Sequence, residues 1–206
     1  RIFPLDPQKR RRTEIPFVLR PLDVKPQDVA VVAAEVKPLL KSTQILVSIV
    51  AGKTLSGLRR LFGPKVRLVR VMPNLALRAN AGMCAVCAAP NAKKADVAAV
   101  EKILGGAGAT AVLKEKDFDA VTALSGSGPA YFAYMEEAMA AGGVALGLEP
   151  DVARLLAEQT MYGTAKYLRA NGADLGEFIA GVCTKGGTTA AGMVELSKPA
   201  FKRIVA

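Results

Sequence analysis

Leu124-Ser125-Gly126-Ser127-Gly128-Pro129-Ala130-Tyr131 divides this chain into two kinds of sequence. Before it, short β-branched runs alternate with short amphipathic segments. After it comes alanine-rich helical sequence without a convincing strand pattern. Small residues followed by Pro129 fit a sharp start to a helix, since proline in the first turn gives up an N–H that has no partner anyway. Gly126 and Gly128 carry no side chain, so the backbone there can approach a ligand closely. An interdomain hinge and a ligand-binding loop both fit the stretch.

Working back from it, residues 21–27 read as the end of a strand and a turn. A helix follows from an Asp28 N-cap to about Leu40. Gln44–Val50 is a near-continuous apolar run, the pattern of a strand buried on both faces. It turns at Ala51-Gly52 into Thr54, which can cap a helix over Leu55–Phe62. Val66–Val71 predicts the next strand, ending at Met72-Pro73-Asn74. Gly82–Ala88 predicts a third, Ala95–Leu104 a helix and Thr110–Leu113 a fourth strand. Strand, turn and helix in this order predict a mostly parallel α/β sheet, whose ligands sit outside the carboxyl ends of the strands. The turns at Val24-Lys25-Pro26, Ala51-Gly52 and Met72-Pro73-Asn74 should line one crevice, although each alone is an ordinary turn.

Working forward, helices are predicted from Pro129 to about Leu146, from near Pro150 to Asn171-Gly172, and over about Asp174–Val182. More of this sequence is apolar than a small bundle can bury, which argues for an oligomer. Thr184-Lys185-Gly186-Gly187-Thr188-Thr189 then leads into Ala190–Leu196. Two glycines and two threonines at a helix N-terminus suit a carboxylate or phosphate, beyond what a plain capping loop needs.

Composition narrows the chemistry. The 206 residues contain no histidine, which excludes an imidazole base, a histidine zinc site and a serine triad. Three cysteines suggest a reducing, cytoplasmic setting. Cys84 and Cys87 form a lone C-x-x-C in a predicted strand that would splay them only partly toward one face. They read as buried small residues and not as a metal site. Of the net charge of +10, residues 1–20 contribute +4. This irregular basic lead-in is expected to be disordered and solvated, without the aromatic interleaving of a nucleic-acid binder. No run reaches the ~20 apolar residues of a membrane span.

With these residues in view, the chain resembles the pyrroline-5-carboxylate reductases. The resemblance is carried by Val24-Lys25-Pro26-Gln27, Val47-Ser48-Ile49-Val50-Ala51-Gly52, Arg70-Val71-Met72-Pro73-Asn74, the block Asp119–Tyr131 and Gly186-Gly187-Thr188-Thr189. It implies a Rossmann-like dinucleotide-binding domain over 21–118 and an all-helical substrate-binding and dimerisation domain over 119–206. It implies hydride transfer from NADPH or NADH to the C=N carbon of 1-pyrroline-5-carboxylate, giving L-proline, in a homodimer or larger homo-oligomer. By resemblance, Val24, Lys25, Pro26, Ala51, Met72 and Asn74 line the cofactor. Glu115, Gly187, Thr188 and Thr189 hold the substrate, with Thr189 the catalytic hydroxyl and no metal required.

The departures are also legible. The family opens with a strand and a glycine-rich phosphate loop, and no G-x-G-x-x-G occurs in these residues. The first domain is therefore expected to be a truncated Rossmann-like unit lacking its central strand. Leu75 stands where the family usually has threonine, and Lys185 where it usually has proline. The alternatives are a non-catalytic remnant that oligomerises or binds a small carboxylate, and a different imine or β-hydroxyacid reductase.

Overall fold

The computed structural model describes residues 19–205, so the expected disorder of the basic segment before Leu19 lies outside the described residues. The chain divides between Phe132 and Ala133 into two compact units.

In the first unit, strands β1 (Leu19–Leu22), β2 (Ile45–Ser48), β3 (Arg67–Pro73), β4 (Gly82–Ala88) and β5 (Gly108–Val112) form one sheet in chain order. β1 begins within the segment read as an irregular lead-in, because Leu19 and Arg20 pair their backbone with Ile45 and Leu46. β1–β2, β2–β3 and β4–β5 are parallel, whereas β3–β4 is antiparallel. The expected mostly parallel sheet therefore carries one reversal. Residues 74–81 are too few for a crossover, which takes a dozen or more. They form instead a 3₁₀ turn, Leu75–Ala79, that closes on Asn80 in the left-handed region.

Each strand divides its side chains between two cores, as a period of two requires. Leu46, Leu68 and Cys87 face one side with Leu22, Leu58, Phe62 and Phe118. Ile45, Val47, Val69, Val71 and Cys84 face the other with Val100. Helices α1 (Val29–Val36) and α2 (Leu55–Phe62) supply the first side and α3 (Lys94–Leu104) the second. Cys84 and Cys87 thus point to opposite faces, not partly to one, because three residues along a strand is an odd step.

The helix ends follow local chemistry. Thr54 Oγ1 accepts from the Gly57 N–H at 3.1 Å, as its position before α2 predicts, and Gly63 ends the helix at φ +100°. Asp28 stands before α1 but makes no side-chain capping bond. α1 stops short of the expected Leu40, since Pro38 tightens the chain into a 3₁₀ turn over Lys37–Leu39.

Phe118, which the sequence reading places last in the dinucleotide-binding domain, is buried in the sheet's core. Helix α4 (Phe118–Val121) is followed by a π-helical turn, Thr122–Gly126, in which the Ser127 N–H reaches the Thr122 carbonyl at 2.8 Å. The stretch read as an open loop is therefore wound. Helix α5 (Gly128–Ala145) starts directly after it, with Pro129 in its first turn.

The second unit continues with α6 (Pro150–Asn171), α7 (Leu175–Val182), α8 (Thr188–Leu196) and α9 (Pro199–Val205). Gly172 stops α6 at φ +56°, and Asp174 Oδ1 caps α7 by accepting from the Glu177 N–H at 3.0 Å. Among the described residues, only Ala153 and Ala157 of this unit are buried apolar side chains. Tyr134, Leu155, Leu175 and Val194 are all more than half exposed. No helix among the described residues is long and apolar enough to cross a membrane.

Candidate functional site

The carboxyl ends of β1, β2 and β3 lie side by side, because Leu22 pairs with Ser48 and Ser48 with Arg70. The turn residues Val24, Lys25, Pro26 and Ala51 follow β1 and β2, and Met72 and Asn74 stand at the end of β3. The sheet brings these six to one edge. Val24 and Met72 pack on the core, while Lys25, Pro26 and Ala51 are exposed. At Gly52, φ is +70° and a Cβ would meet nothing within 4 Å, so this turn is open as well as glycine-dependent.

Asn74 is held at both backbone and side chain. Its N–H donates to the Met83 carbonyl at 3.1 Å, and its Oδ1 accepts from the Met83 N–H at 3.0 Å. Its Nδ2 lies 3.5 Å from Ser125 Oγ in the π-helical turn. Gly126 of that turn packs so closely on Met72 that a Cβ would stand 2.8 Å from the methionine methyl. The glycine thus serves contact with the sheet. Interrupted helices of this kind are frequent at functional sites.

Glu115 opens a 3₁₀ turn, Glu115–Asp117, after β5. Its Oε1 accepts from the Leu55 N–H at 2.5 Å and from Arg70 Nη1 at 3.0 Å. The Arg70 guanidinium also lies over the Phe118 ring, 4.6 Å from its centroid. Arg70 is paired across the sheet with Cys87. Burial and the Glu115 charge push the Cys87 thiol up to about 11, against the opposing pull of Arg70. Burial likewise raises Cys84. Neither thiol is poised as a nucleophile.

Arg70 and Ser125 stand out at the site with no role assigned from the sequence. A charge flanked on both sides by valine within the strand was the available signal for Arg70.

In the helical unit, Thr188 and Thr189 fall within the first turn of α8 and not ahead of it. The turn before them closes through the Gly187 N–H and the Thr184 carbonyl at 3.0 Å, with Gly186 at φ +74°. Lys185 occupies the position before the positive-φ glycine, where a turn of this kind favours proline. A Cβ on Gly187 would stand 2.4 Å from Thr184 Oγ1, so both glycines are required. No side chain caps α8. Its first N–H groups therefore have no side-chain partner, as an anion site needs. Among the described residues no cluster could hold a metal ion.

Residues 115–206 match the family model described as pyrroline-5-carboxylate reductase dimerisation. A pyrroline-5-carboxylate reductase of Arabidopsis thaliana is 41% identical over 87% of this chain and 64% of its own length. The chain spans just under two thirds of the curated relatives it matches. The NADP-bound enzyme of Plasmodium falciparum superimposes with a TM-score of 0.83 at 31% identity, covering 90% of this chain and 74% of that one. The Streptococcus pyogenes enzyme gives 0.81 at 33% identity, covering 91% and 71%. By sequence identity and by fold alike, this chain belongs to the pyrroline-5-carboxylate reductase family.

Proposed function

We propose that this protein reduces 1-pyrroline-5-carboxylate to L-proline with NADPH or NADH, as a homodimer or larger homo-oligomer. The observation that carries the reading is the uncapped start of α8, with Thr188 and Thr189 in its first turn behind Gly186-Gly187. Uncapped N–H groups and the helix dipole attract a carboxylate, and two hydroxyls add directional bonds.

The residues along the strand edge fit a dinucleotide. Val24, Lys25, Pro26, Ala51, Met72 and Asn74 offer one edge of exposed and half-buried groups, with the Gly52 backbone unobstructed. When bound, the cofactor supplies a hydride. Gly187, Thr188 and Thr189 are assigned the substrate carboxylate and its orientation, and the Thr189 hydroxyl the ring nitrogen. Glu115 is also assigned to the substrate, as a carboxylate. As hydride adds to the imine carbon, the π pair withdraws onto nitrogen. If the substrate arrives as the iminium, nitrogen is already protonated and no side chain need act as a strong acid. Orientation then accounts for most of the rate. Three free thiols fit a reducing, cytoplasmic setting.

The test is proline-dependent reduction of NADP⁺ and NAD⁺ by the purified chain at high pH. Turnover abolished by omitting proline supports the assignment. A folded oligomer that turns over neither cofactor overturns it.

A further inference from the structure

We propose that Arg70 is a positioning residue, which clamps one oxygen of Glu115 so that the other is presented to the cationic nitrogen of the substrate. The inference rests on the proposed reduction, and concerns a residue that the family resemblance does not assign.

Glu115 Oε1 is committed twice, to the Leu55 N–H and to Arg70 Nη1. Oε2 has no hydrogen-bond partner among the described residues, and the Glu115 side chain is 31% exposed. One oxygen is therefore anchored and the other is available. Glu115 sits on a single 3₁₀ turn, which restrains a long side chain poorly, and a free glutamate loses rotamer entropy on binding a ligand. Arg70 meets that cost beforehand. Its own side chain is 7% exposed and lies against the Phe118 ring, so it cannot follow the carboxylate into solvent.

The two anchors also belong to the cofactor edge. Leu55 follows the Ala51–Thr54 turn, and Arg70 is two residues before Met72 on β3. Glu115 thus ties the start of α2 to β3 and presents its free oxygen from that fixed point. A guanidinium serving only the fold would not need a partly exposed partner. Two buried groups would do as well, or an apolar pair better.

The experiment compares wild type, Arg70→Met, Arg70→Lys, Glu115→Gln and the Arg70→Met/Glu115→Gln double variant. Only variants with native oligomer size and circular dichroism are compared. Arg70→Met is expected to raise KM for pyrroline-5-carboxylate about tenfold to a hundredfold, with kcat changed less than about threefold. KM for the cofactor should hold, and Arg70→Lys, which keeps the buried charge, should recover most of the loss. In the Glu115→Gln background, Arg70→Met should have little further effect. Additive losses, or an unchanged substrate KM in folded Arg70→Met or Arg70→Lys, would overturn the proposal.

Hydrogen exchange at the Leu55 amide provides a readout without turnover. Release of Glu115 in Arg70→Met should speed its exchange at least about tenfold relative to the neighbouring amides of α2. If the wild-type chain reduces nothing, the reductase reading fails by itself. The Leu55 amide then still decides whether Arg70 orders Glu115, and unchanged exchange sinks the clamp.

Discussion

Arg67 Nη1 meets Asp96 Oδ1 at 2.8 Å, fastening the first residue of β3 to the first turn of α3 on the sheet's second face. Asp96 is fully buried, and its Oδ2 accepts from the Lys93 N–H at 2.8 Å. The same guanidinium donates to the Thr43 carbonyl. Removing the carboxylate takes one charged partner from a largely buried cation and uncaps a helix. Asp96→Ala is expected to cost about 3–5 kcal/mol in urea unfolding. Asp96→Asn, whose amide oxygen can still accept from Lys93, should cost less.

Thr189 tests the hydroxyl assigned to the substrate. Loss of one hydrogen bond to a charged group is worth about 1.5–3 kcal/mol. Thr189→Ala should therefore lower kcat/KM for pyrroline-5-carboxylate by about tenfold to a hundredfold at constant cofactor KM. Thr189→Ser should restore most of it. Steady-state kinetics in both reaction directions would settle the point, and equal activity for the alanine variant would remove Thr189 from the mechanism.

Cys87 gives a pH dependence with a definite sign. Its thiol is raised from an ordinary 9.0 to about 11 by burial and by the Glu115 charge. The folded state therefore holds this proton where the unfolded chain releases it. Stability from the neutral thiol is present in full below pH 9 and is lost as pH rises toward 11. The loss should be on the order of 2 kcal/mol. Chemical denaturation at pH 8 and pH 11 should show a smaller alkaline decline in Cys87→Ala than in wild type. Alkylation at pH 8 should reach the partly exposed Cys183 first.

Gly82 opens β4 under the turn that reverses the sheet. A Cβ there would stand 2.4 Å from the Leu77 side chain and 2.6 Å from its backbone nitrogen. Gly82→Ala should cost about 3 kcal/mol or more, at the upper end for overpacking, because backbone must move. The displaced segment includes Met83, which holds Asn74. Cofactor KM should therefore rise along with the loss of stability, and a rise in neither would contradict the packing described.

Local signals in the sequence carried far. Thr54 caps α2, Gly172 stops α6 and Gly82–Ala88 is β4, all as their residues predict. Strand direction is different, since an apolar run buried on both faces looks the same either way. The short connection from Asn74 to Ala81 was the clue to the reversal, because a parallel return needs a longer crossover. Thr122–Gly126 is wound where Gly126 packs on Met72, against the tendency of serine and glycine to form loops. The Arg70–Glu115 pair joins positions 45 residues apart, and no local pattern encodes that distance.

Among its described residues the helical unit has two buried alanines and a surface of tyrosines and leucines. Little of its stability can come from within one chain. Whatever covers those side chains enters the folding equilibrium as a reactant, so association and folding become one reaction. The midpoint of thermal unfolding should then climb with protein concentration, and refolding should include a phase whose rate scales with the number of chains present. Dilution alone would act on this protein as a mild denaturant.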